Sequence, residues 1–209
     1  MSLRSRLLFG LIAFIIFACV VGLLPSMLPG YSSITQTVSE IGELGSPARL
    51  PFAALLCVIA ACILIFASAL RDVSGELGRS SVAAWLTGCM AVSVAGVGIF
   101  AYPHPLHNVF GLSELIGYQA PWVLALAWRR LPRTRSVVAF SWLMAAVVWC
   151  AIIANLATLD RGGALWRMEE PIYGIIQRLL FVSWFVWLAG TGLMLGGNSL
   201  ASENRGAAR

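Results

Sequence analysis

Long and almost uninterrupted apolar runs constrain this sequence more than any other feature. Residues 7–24 read LLFGLIAFIIFACVVGLL, and several runs of similar character follow at short intervals. A helix that crosses a lipid bilayer needs about 20 consecutive apolar residues. Of the 209 residues, 59% are hydrophobic and only 11% are charged, whereas soluble domains have roughly 25% charged residues. The chain is therefore predicted to be an integral membrane protein.

The apolar runs predict an all-α, polytopic bundle of six transmembrane helices that forms one domain over residues 1–197. The first run follows a basic start, as in a signal peptide, but it is longer than a signal-peptide core and no A-x-A cleavage site follows it, so we interpret it as an uncleaved helix. The polar segment 198–209 is predicted to be a disordered cytoplasmic tail. The predicted spans are residues 7–24, 51–70, 82–101, 112–128, 137–157 and 172–195. Glu114 and Pro121 interrupt the fourth and make it the weakest.

The distribution of arginine predicts how the helices are threaded through the membrane. The sequence has 14 basic residues, all of them arginine. Ten lie at the termini and in the second and fourth loops, and three lie in the other loops. Because basic loops stay in the cytoplasm, we expect a multi-pass protein of the inner (cytoplasmic) membrane with both termini cytoplasmic. The arginines form no single stripe, so the net charge of +5 does not indicate nucleic-acid binding.

The stretch AYPHPLHNVFGLSELIGY, residues 101–118, collects polar side chains between two apolar runs. Proline suits the first turn of a helix, so a helix could begin at Pro105. His107, Gly111 and Glu114 would then lie at i, i+4 and i+7 on one face. A histidine and a carboxylate on one face are typical of metal binding or acid–base chemistry near neutral pH.

Two other residues of this stretch have alternative interpretations. His104 lies between two prolines, outside the predicted helix, and could fold over the same place as His107. The alternative is that His104 and Asn108 only cap and solvate a short loop. Two histidines three positions apart are not by themselves a metal-binding motif.

The longest predicted outer loop, GYSSITQTVSEIGELGSPARLP at residues 30–51, has helical periodicity. Its apolar positions are Ile34, Val38 and Ile41, and its polar positions are Gln36, Glu40 and Glu43. This pattern predicts a short interfacial amphipathic helix on the outer leaflet, ended by Gly45 and Pro47. Ser39 and Glu40 could lean over the histidine loop and complete a polar pocket, or the polar face could simply be solvated.

Arg178 lies about two turns inside the sixth apolar run. An arginine within the membrane usually pairs, so we expect an ion pair with Glu114, or second with Glu40. The alternative is that its side chain reaches the interface. Asn155 and Gln177 could extend the polar network or hydrogen-bond neighbouring helices.

Two pairs of small residues predict close helix contacts, within the bundle or between copies in a homo-oligomer. Gly192 and Gly196 form a G-x-x-x-G pair, and Ala91 and Ala95 have the same spacing.

Two motifs together resemble a known family. YSSITQTVSEIGELGSP precedes the second span, and YPHPLHNVFG separates the third from the fourth. The sequence is similar to the bacterial and archaeal membrane proteins of Domain of Unknown Function 998. The matching positions are Ser33, Ser39, Glu40, Gly42, Pro103, His107, Asn108 and Gly111. The resemblance implies about six spans and a site at these two segments, but no reaction. The histidine loop is shorter here than the one expected in the family, so the resemblance assigns no role to His104.

These features favour a non-enzymatic membrane protein whose outward polar pocket binds a lipid headgroup or another amphiphile, with a lipid-organising, regulatory or transport-accessory role. Membrane lipids are the expected partners, and no cofactor is predicted. The predicted ligand-binding residues are Arg178, Glu114, His107, Asn108, Ser39, Glu40, Gln177 and Asn155.

Two other functions remain open. The first is an intramembrane hydrolase that acts on a lipid at the outer leaflet with His107, His104, Glu40 and Glu114, or with zinc bound by His104 and His107. The second is a small transporter, for which the inner halves of the spans offer few polar side chains.

Overall fold

The computed structural model describes the backbone of residues 1–206 and the side chains of residues 1–197. Short 3-10 turns cover Leu24–Met27, Pro132–Thr134, Leu156–Leu159 and Glu170–Ile172. The described range holds ten α-helices: α1 (Leu3–Leu7), α2 (Phe9–Leu23), α3 (Val38–Ile41), α4 (Arg49–Glu76), α5 (Val82–Ile99), α6 (Pro105–Gly117), α7 (Ala120–Trp128), α8 (Arg135–Asn155), α9 (Ala164–Glu169) and α10 (Tyr173–Gly206).

These helices combine into six segments that are long and apolar enough to cross a membrane. Within the described residues they are Leu3–Met27, Arg49–Glu76, Val82–Ile99, Pro105–Trp128, Pro132–Leu159 and Ala164–Gly197. The prediction of an all-α bundle with six spans is therefore confirmed. Helix α10 continues along the backbone to Gly206, whereas residues 207–209 lie outside the described residues. The disorder predicted for the tail at 198–209 stays a prediction.

The first and last spans meet at one end of the bundle. A Cβ atom on Gly196 would lie 3.7 Å from Arg4 Cγ, and Arg6 pairs with Asp72 at 2.6 Å at the same end. At the opposite end the irregular segments join, since the Leu44 N–H donates to the Tyr102 carbonyl at 2.8 Å. The first, third and fifth loops are thus gathered at the end away from Arg4.

The fourth span consists of two helices because of its proline. Pro121 has no N–H, so the Gly117 carbonyl four residues earlier loses its helical donor. The indole of Trp184 on α10 donates to this carbonyl instead, at 3.1 Å. The hydrogen bond therefore ties α10 to the junction of α6 and α7.

Helix α6 packs tightly against α5 along one side. A Cβ atom on Gly117 would approach Met90 Cβ to 2.5 Å, so only glycine allows this separation. One turn earlier on the same side of α6, the hydroxyl groups of Ser113 and of Ser93 on α5 are 2.7 Å apart. Leu112 and Leu115, on the far side of α6 from this contact, are exposed, and the face with His107, Gly111 and Glu114 lies between the two sides.

The helix predicted in the first outer loop is a single turn, α3. Thr37 and Glu40 form a T-x-x-E cap, in which Thr37 Oγ1 accepts from the Glu40 N–H at 3.4 Å and donates to Glu40 Oε1 at 3.0 Å. Val38 and Ile41 are buried, whereas Ile34, outside the helix, is 53% exposed. Helix α3 is inserted into the end of the bundle away from Arg4, because its two apolar residues are buried there.

One of the two predicted small-residue faces packs against another helix of the same chain. A Cβ atom on Gly192 would clash with the carbonyl oxygen of Leu7 on α1. Ala91, on α5, is also buried within the bundle. A homo-oligomer through these faces stays a prediction.

Candidate functional site

Helix α6 begins where the sequence predicted. Pro105 occupies its first turn, and His104 is the N-cap, with Nδ1 accepting from the Leu106 N–H at 3.1 Å. His107, Gly111 and Glu114 all line one cavity, so the predicted common face exists. The face continues to Tyr118, one turn beyond Glu114.

The cavity has a volume of about 530 Å³ and lies between α6 on one side and α8 and α10 on the other. This size is typical of sites for small ligands. Its polar lining is formed by Ser39, His107, Asn108, Glu114, Tyr118, Asn155, Thr158, Arg161, Tyr173 and Gln177, and its apolar lining includes Val97, Leu112, Leu115, Ile152, Leu156, Leu159, Leu180 and Phe181. Six of the eight predicted ligand-binding residues are therefore brought together.

Exposed leucines border the cavity. Leu112 on α6 is 66% exposed, and Leu159 at the end of the fifth span is 79% exposed. Leu115 and Leu156 are also exposed and line the same space. The polar interior thus has an apolar rim between two membrane-spanning segments.

Glu114 is the buried acid of this cavity and has one hydrogen-bonding side-chain partner. The Tyr118 hydroxyl donates to Glu114 Oε2 at 3.0 Å. Glu114 also borders a second, apolar cavity of about 40 Å³, which shares Ser39, Val97 and Phe181 with the first. Its carboxyl group therefore has empty space beside it where a buried acid would normally have partners.

His107 is buried, and a backbone contact assigns its ring nitrogens. Its Nδ1 lies 2.8 Å from the Phe100 carbonyl, which can only accept, so Nδ1 carries the proton. In the neutral ring, Nε2 is then the acceptor. His107 thus presents one hydrogen-bond acceptor that the protein backbone leaves unused.

His104 does not join this site. Its Nδ1 is engaged in capping α6, its side chain is exposed, and its ring packs beside Phe100 with centroids 5.1 Å apart. The interpretation of His104 as a capping residue is therefore the one that the geometry supports. Within residues 1–197, no cluster of three or more His, Cys, Asp or Glu is arranged to hold a metal ion.

The fifth and sixth spans contribute an ordered polar wall. Tyr173 donates to Asn155 Oδ1 at 3.1 Å, and the Asn155 amide donates to the Ala151 carbonyl at 2.8 Å. Gln177 Oε1 accepts from the Val38 N–H at 2.7 Å, which leaves its amide NH₂ group available on a residue that lines the cavity. Asn155 and Gln177 thus have both structural partners and access to the cavity.

The expected ion pair between Glu114 and Arg178 does not form. In the described part of the chain, the only salt bridge within 4.0 Å is that of Arg6 with Asp72. Arg178 Nη1 instead donates to the carbonyls of Ser33 at 2.9 Å, Gln36 at 2.8 Å and Gly174 at 2.9 Å, and Nη2 donates to the Tyr31 hydroxyl. Backbone carbonyls that are not paired within a helix need such donors when they are buried in a protein. Arg178 therefore holds the loop between the first and second spans, and it does not line the cavity.

Glu40, the second predicted partner, is also used locally. Its carboxylate accepts from Thr37 in the cap of α3. It does not line the cavity, whereas its neighbour Ser39 does.

Four residues of the polar lining were missed by the sequence analysis: Tyr118, Thr158, Arg161 and Tyr173. The helical period from Glu114 could have identified Tyr118. The others lie in or beside the fifth loop, where no spacing rule indicates which way a side chain points. The guanidinium of Arg161 lies 5.2 Å from the centroid of the Trp166 ring.

Comparison with known proteins identifies a family. The profile of a family described as "Protein of unknown function (DUF998)" matches residues 11–194. Comparison with curated proteins gives no match, and comparison with solved structures gives none either. The matched region includes both the α3 segment and the α6 face that form the cavity. Since the match extends over most of the chain, this six-span membrane protein belongs to the DUF998 family.

Proposed function

We propose that this protein binds a membrane amphiphile, with the polar headgroup inside the cavity and the hydrocarbon chains in the bilayer. The observation that carries the proposal is the arrangement of the lining: polar side chains lie inside, and exposed leucines of two neighbouring spans form the rim. A soluble polar ligand would gain nothing from an apolar rim, whereas the chains of a lipid would contact it favourably.

The cavity lies at the end of the bundle away from Arg4, and the arginine distribution supports an orientation for that end. Basic loops favour the cytoplasmic side, where both termini would then lie. We place the protein in the cytoplasmic membrane with the cavity open towards the outer leaflet. Reactivity of a single cysteine introduced at exposed His104 with an impermeant thiol reagent, in a cysteine-free background, tests this orientation.

Arg161 replaces Arg178 as the residue available for a phosphate group. Arg178 is occupied by three backbone carbonyls, whereas Arg161 is exposed and lines the cavity. Guanidinium groups bind phosphate oxygens with charge-assisted hydrogen bonds. A role for the protein in binding or organising phospholipid follows from this chemistry.

The hydrolase alternative is weakened by the position of His104. Its predicted form needed two histidines and a carboxylate, but His104 caps α6 and Glu40 caps α3. His107 and Glu114 remain in the cavity. Among the described residues, nothing indicates a nucleophile beside them. Binding is therefore the function that the geometry supports best.

The cavity can be filled without disturbing the packing. A Cβ atom on Gly111 would meet nothing within 4 Å, although Gly111 lines the cavity. We expect Gly111→Phe to occupy the space and to abolish retention of phospholipid, as measured by native mass spectrometry of the detergent-purified protein. Gly88→Phe is the matched control, because Gly88 on α5 is equally unobstructed but does not line the cavity.

The wild type and Gly88→Phe should both retain phospholipid. Equal retention by Gly111→Phe and the wild type, with both proteins folded, would show that the cavity is not the binding site.

A further inference from the structure

We propose that the amphiphile carries a phosphate group and a primary amine, as in a phosphoethanolamine headgroup, with the ammonium group on Glu114 and the phosphate on Arg161. This inference rests on the proposed function and specifies the class of ligand.

The first step concerns the missing partner of Glu114. The side chain is 7% exposed and lies within a membrane-spanning segment. Carboxylates in such positions are costly and pair with a cation or line a cavity. No cationic side chain within the described residues lies in salt-bridge distance of Glu114, and Arg178 is held by backbone. A cation that completes the site can therefore come from the ligand.

The second step concerns the kind of cation. His107 offers an acceptor at Nε2, because Nδ1 donates to the Phe100 carbonyl. Ser39 lines both cavities, as Glu114 does, and a serine hydroxyl oxygen can accept as well. A primary ammonium group has three donors, so it can bind the Glu114 carboxylate and still donate to another acceptor of the lining. A quaternary ammonium group has none, so it could not donate a hydrogen bond to these acceptors.

The third step concerns the anionic part of the headgroup. Arg161 lines the cavity from the loop that follows the fifth span. Its guanidinium stacks near Trp166, with 5.2 Å from Cζ to the ring centroid. Stacking fixes the plane of the guanidinium and leaves its N–H edge to bind oxygen. The cavity thus combines a deep acid with a more exposed base, which matches a zwitterion and not a purely anionic headgroup.

The test is a competition between lipids that differ only in the headgroup. Delipidated protein in detergent is mixed with equal amounts of phosphatidylethanolamine, phosphatidylglycerol and phosphatidylcholine with identical chains, and the bound lipid is measured by native mass spectrometry. A charge-assisted hydrogen bond changes affinity by about tenfold or more. We expect phosphatidylethanolamine to be preferred by about that factor, and Glu114→Gln to remove the preference.

A second variant keeps the test valid if Glu114→Gln fails to fold. Arg161 is exposed, so Arg161→Ala should fold and should weaken the binding of all three lipids. Equal binding of the three lipids by the wild type, or an unchanged preference in folded Glu114→Gln, would overturn the assignment of the amine.

The result for Gly111→Phe separates this failure from that of the proposed function. If that variant still clears bound lipid while the wild type shows no headgroup preference, the lipid site stands and the phosphoethanolamine assignment is wrong. Displacement of the lipid by an equal concentration of soluble phosphoethanolamine would overturn the requirement for an amphiphile.

Discussion

Two charged residues, Arg178 on α10 and Glu114 on α6, occur in similar sequence settings and have opposite environments. Each is an isolated charge in an apolar run. Arg178 donates to three backbone carbonyls and to a tyrosine hydroxyl. Glu114 accepts from one tyrosine and lines two cavities. The comparison shows that the protein itself satisfies the charge of Arg178, whereas it gives Glu114 a single hydrogen-bonding side-chain partner.

The clamp, defined as Arg178 with the carbonyls of Ser33, Gln36 and Gly174, has a physical reason in the loop that it holds. The segment before α3 is not helical, so its carbonyls lack the partners that a helix provides. One guanidinium satisfies several of them because its donors point in fixed directions. The clamp is therefore structural.

The largest expected effect breaks the clamp. Arg178→Ala would leave the loop carbonyls of Ser33 and Gln36 without this donor, and hydrogen bonds to charged groups contribute roughly 1.5–3 kcal/mol each. Part of this is offset because Arg178 Nε has no partner among the described residues. We expect the free energy of unfolding to fall by about 3 kcal/mol or more, measured as a lower thermal midpoint in detergent.

Arg178→Lys is the matched control for the clamp. It keeps the charge but loses the forked geometry, so it should recover only part of the stability. Full recovery by lysine would indicate that charge alone, and not the shape of the guanidinium, holds the loop.

Arg178 and Glu114 also show which features could be predicted from the sequence alone. Helical periodicity correctly placed His107, Gly111 and Glu114 on one face, because the i, i+4, i+7 rule depends only on backbone geometry. It could not find the partner of Arg178, because backbone carbonyls of an irregular loop carry no residue-specific signal. The six spans were predictable from hydrophobicity. The junction between α6 and α7 also depends on the hydrogen bond from Trp184 to the Gly117 carbonyl, which hydrophobicity does not reveal.

A pair of glycines extends the comparison from charge to space. A Cβ atom on Gly174 would lie 2.5 Å from the Gln36 carbonyl oxygen and 2.6 Å from that of Ser33, whereas one on Gly111 would meet nothing within 4 Å. Gly174→Val should push the loop away from α10 and destabilise the protein by about 1–3 kcal/mol. The same change at Gly111 should leave the thermal midpoint nearly unchanged.

The measurement for both glycine variants is the thermal midpoint together with protease cleavage in residues 30–42, which should rise only for Gly174→Val. Equal destabilisation at the two positions would contradict the contrast between a packed clamp and an open cavity.

Glu114→Gln should have a smaller effect on stability than either change at the clamp. The amide oxygen can still accept from Tyr118, so the hydrogen bond at Glu114 survives. Removal of an unpaired charge from a membrane-spanning segment offsets any loss of hydrogen-bond strength. We expect the free energy of unfolding to change by less than about 1 kcal/mol, and the thermal midpoint of the lipid-free protein measures this.

A large loss of stability in Glu114→Gln would show that Glu114 has an internal role like that of Arg178. Glu114→Ala is the informative companion, because it leaves the Tyr118 hydroxyl without its acceptor and should be less stable than Glu114→Gln.

The smallest expected effect concerns Tyr31, which lies in the loop held by the clamp. Burial raises the pKa of the Tyr31 phenol above its ordinary value of 10.0, although the neighbouring Arg178 guanidinium lowers it in part and the Glu40 carboxylate adds to the rise. A raised pKa means that the folded state binds the proton more tightly than the unfolded state does. The stability from this group is therefore present below pH 10 and is lost as the pH rises through the pKa of the folded protein. We expect the thermal midpoint to fall as the pH rises above 10, with a shallower fall in Tyr31→Phe. An unchanged slope in Tyr31→Phe would place the titrating group elsewhere and remove Tyr31 from the clamp's energetics.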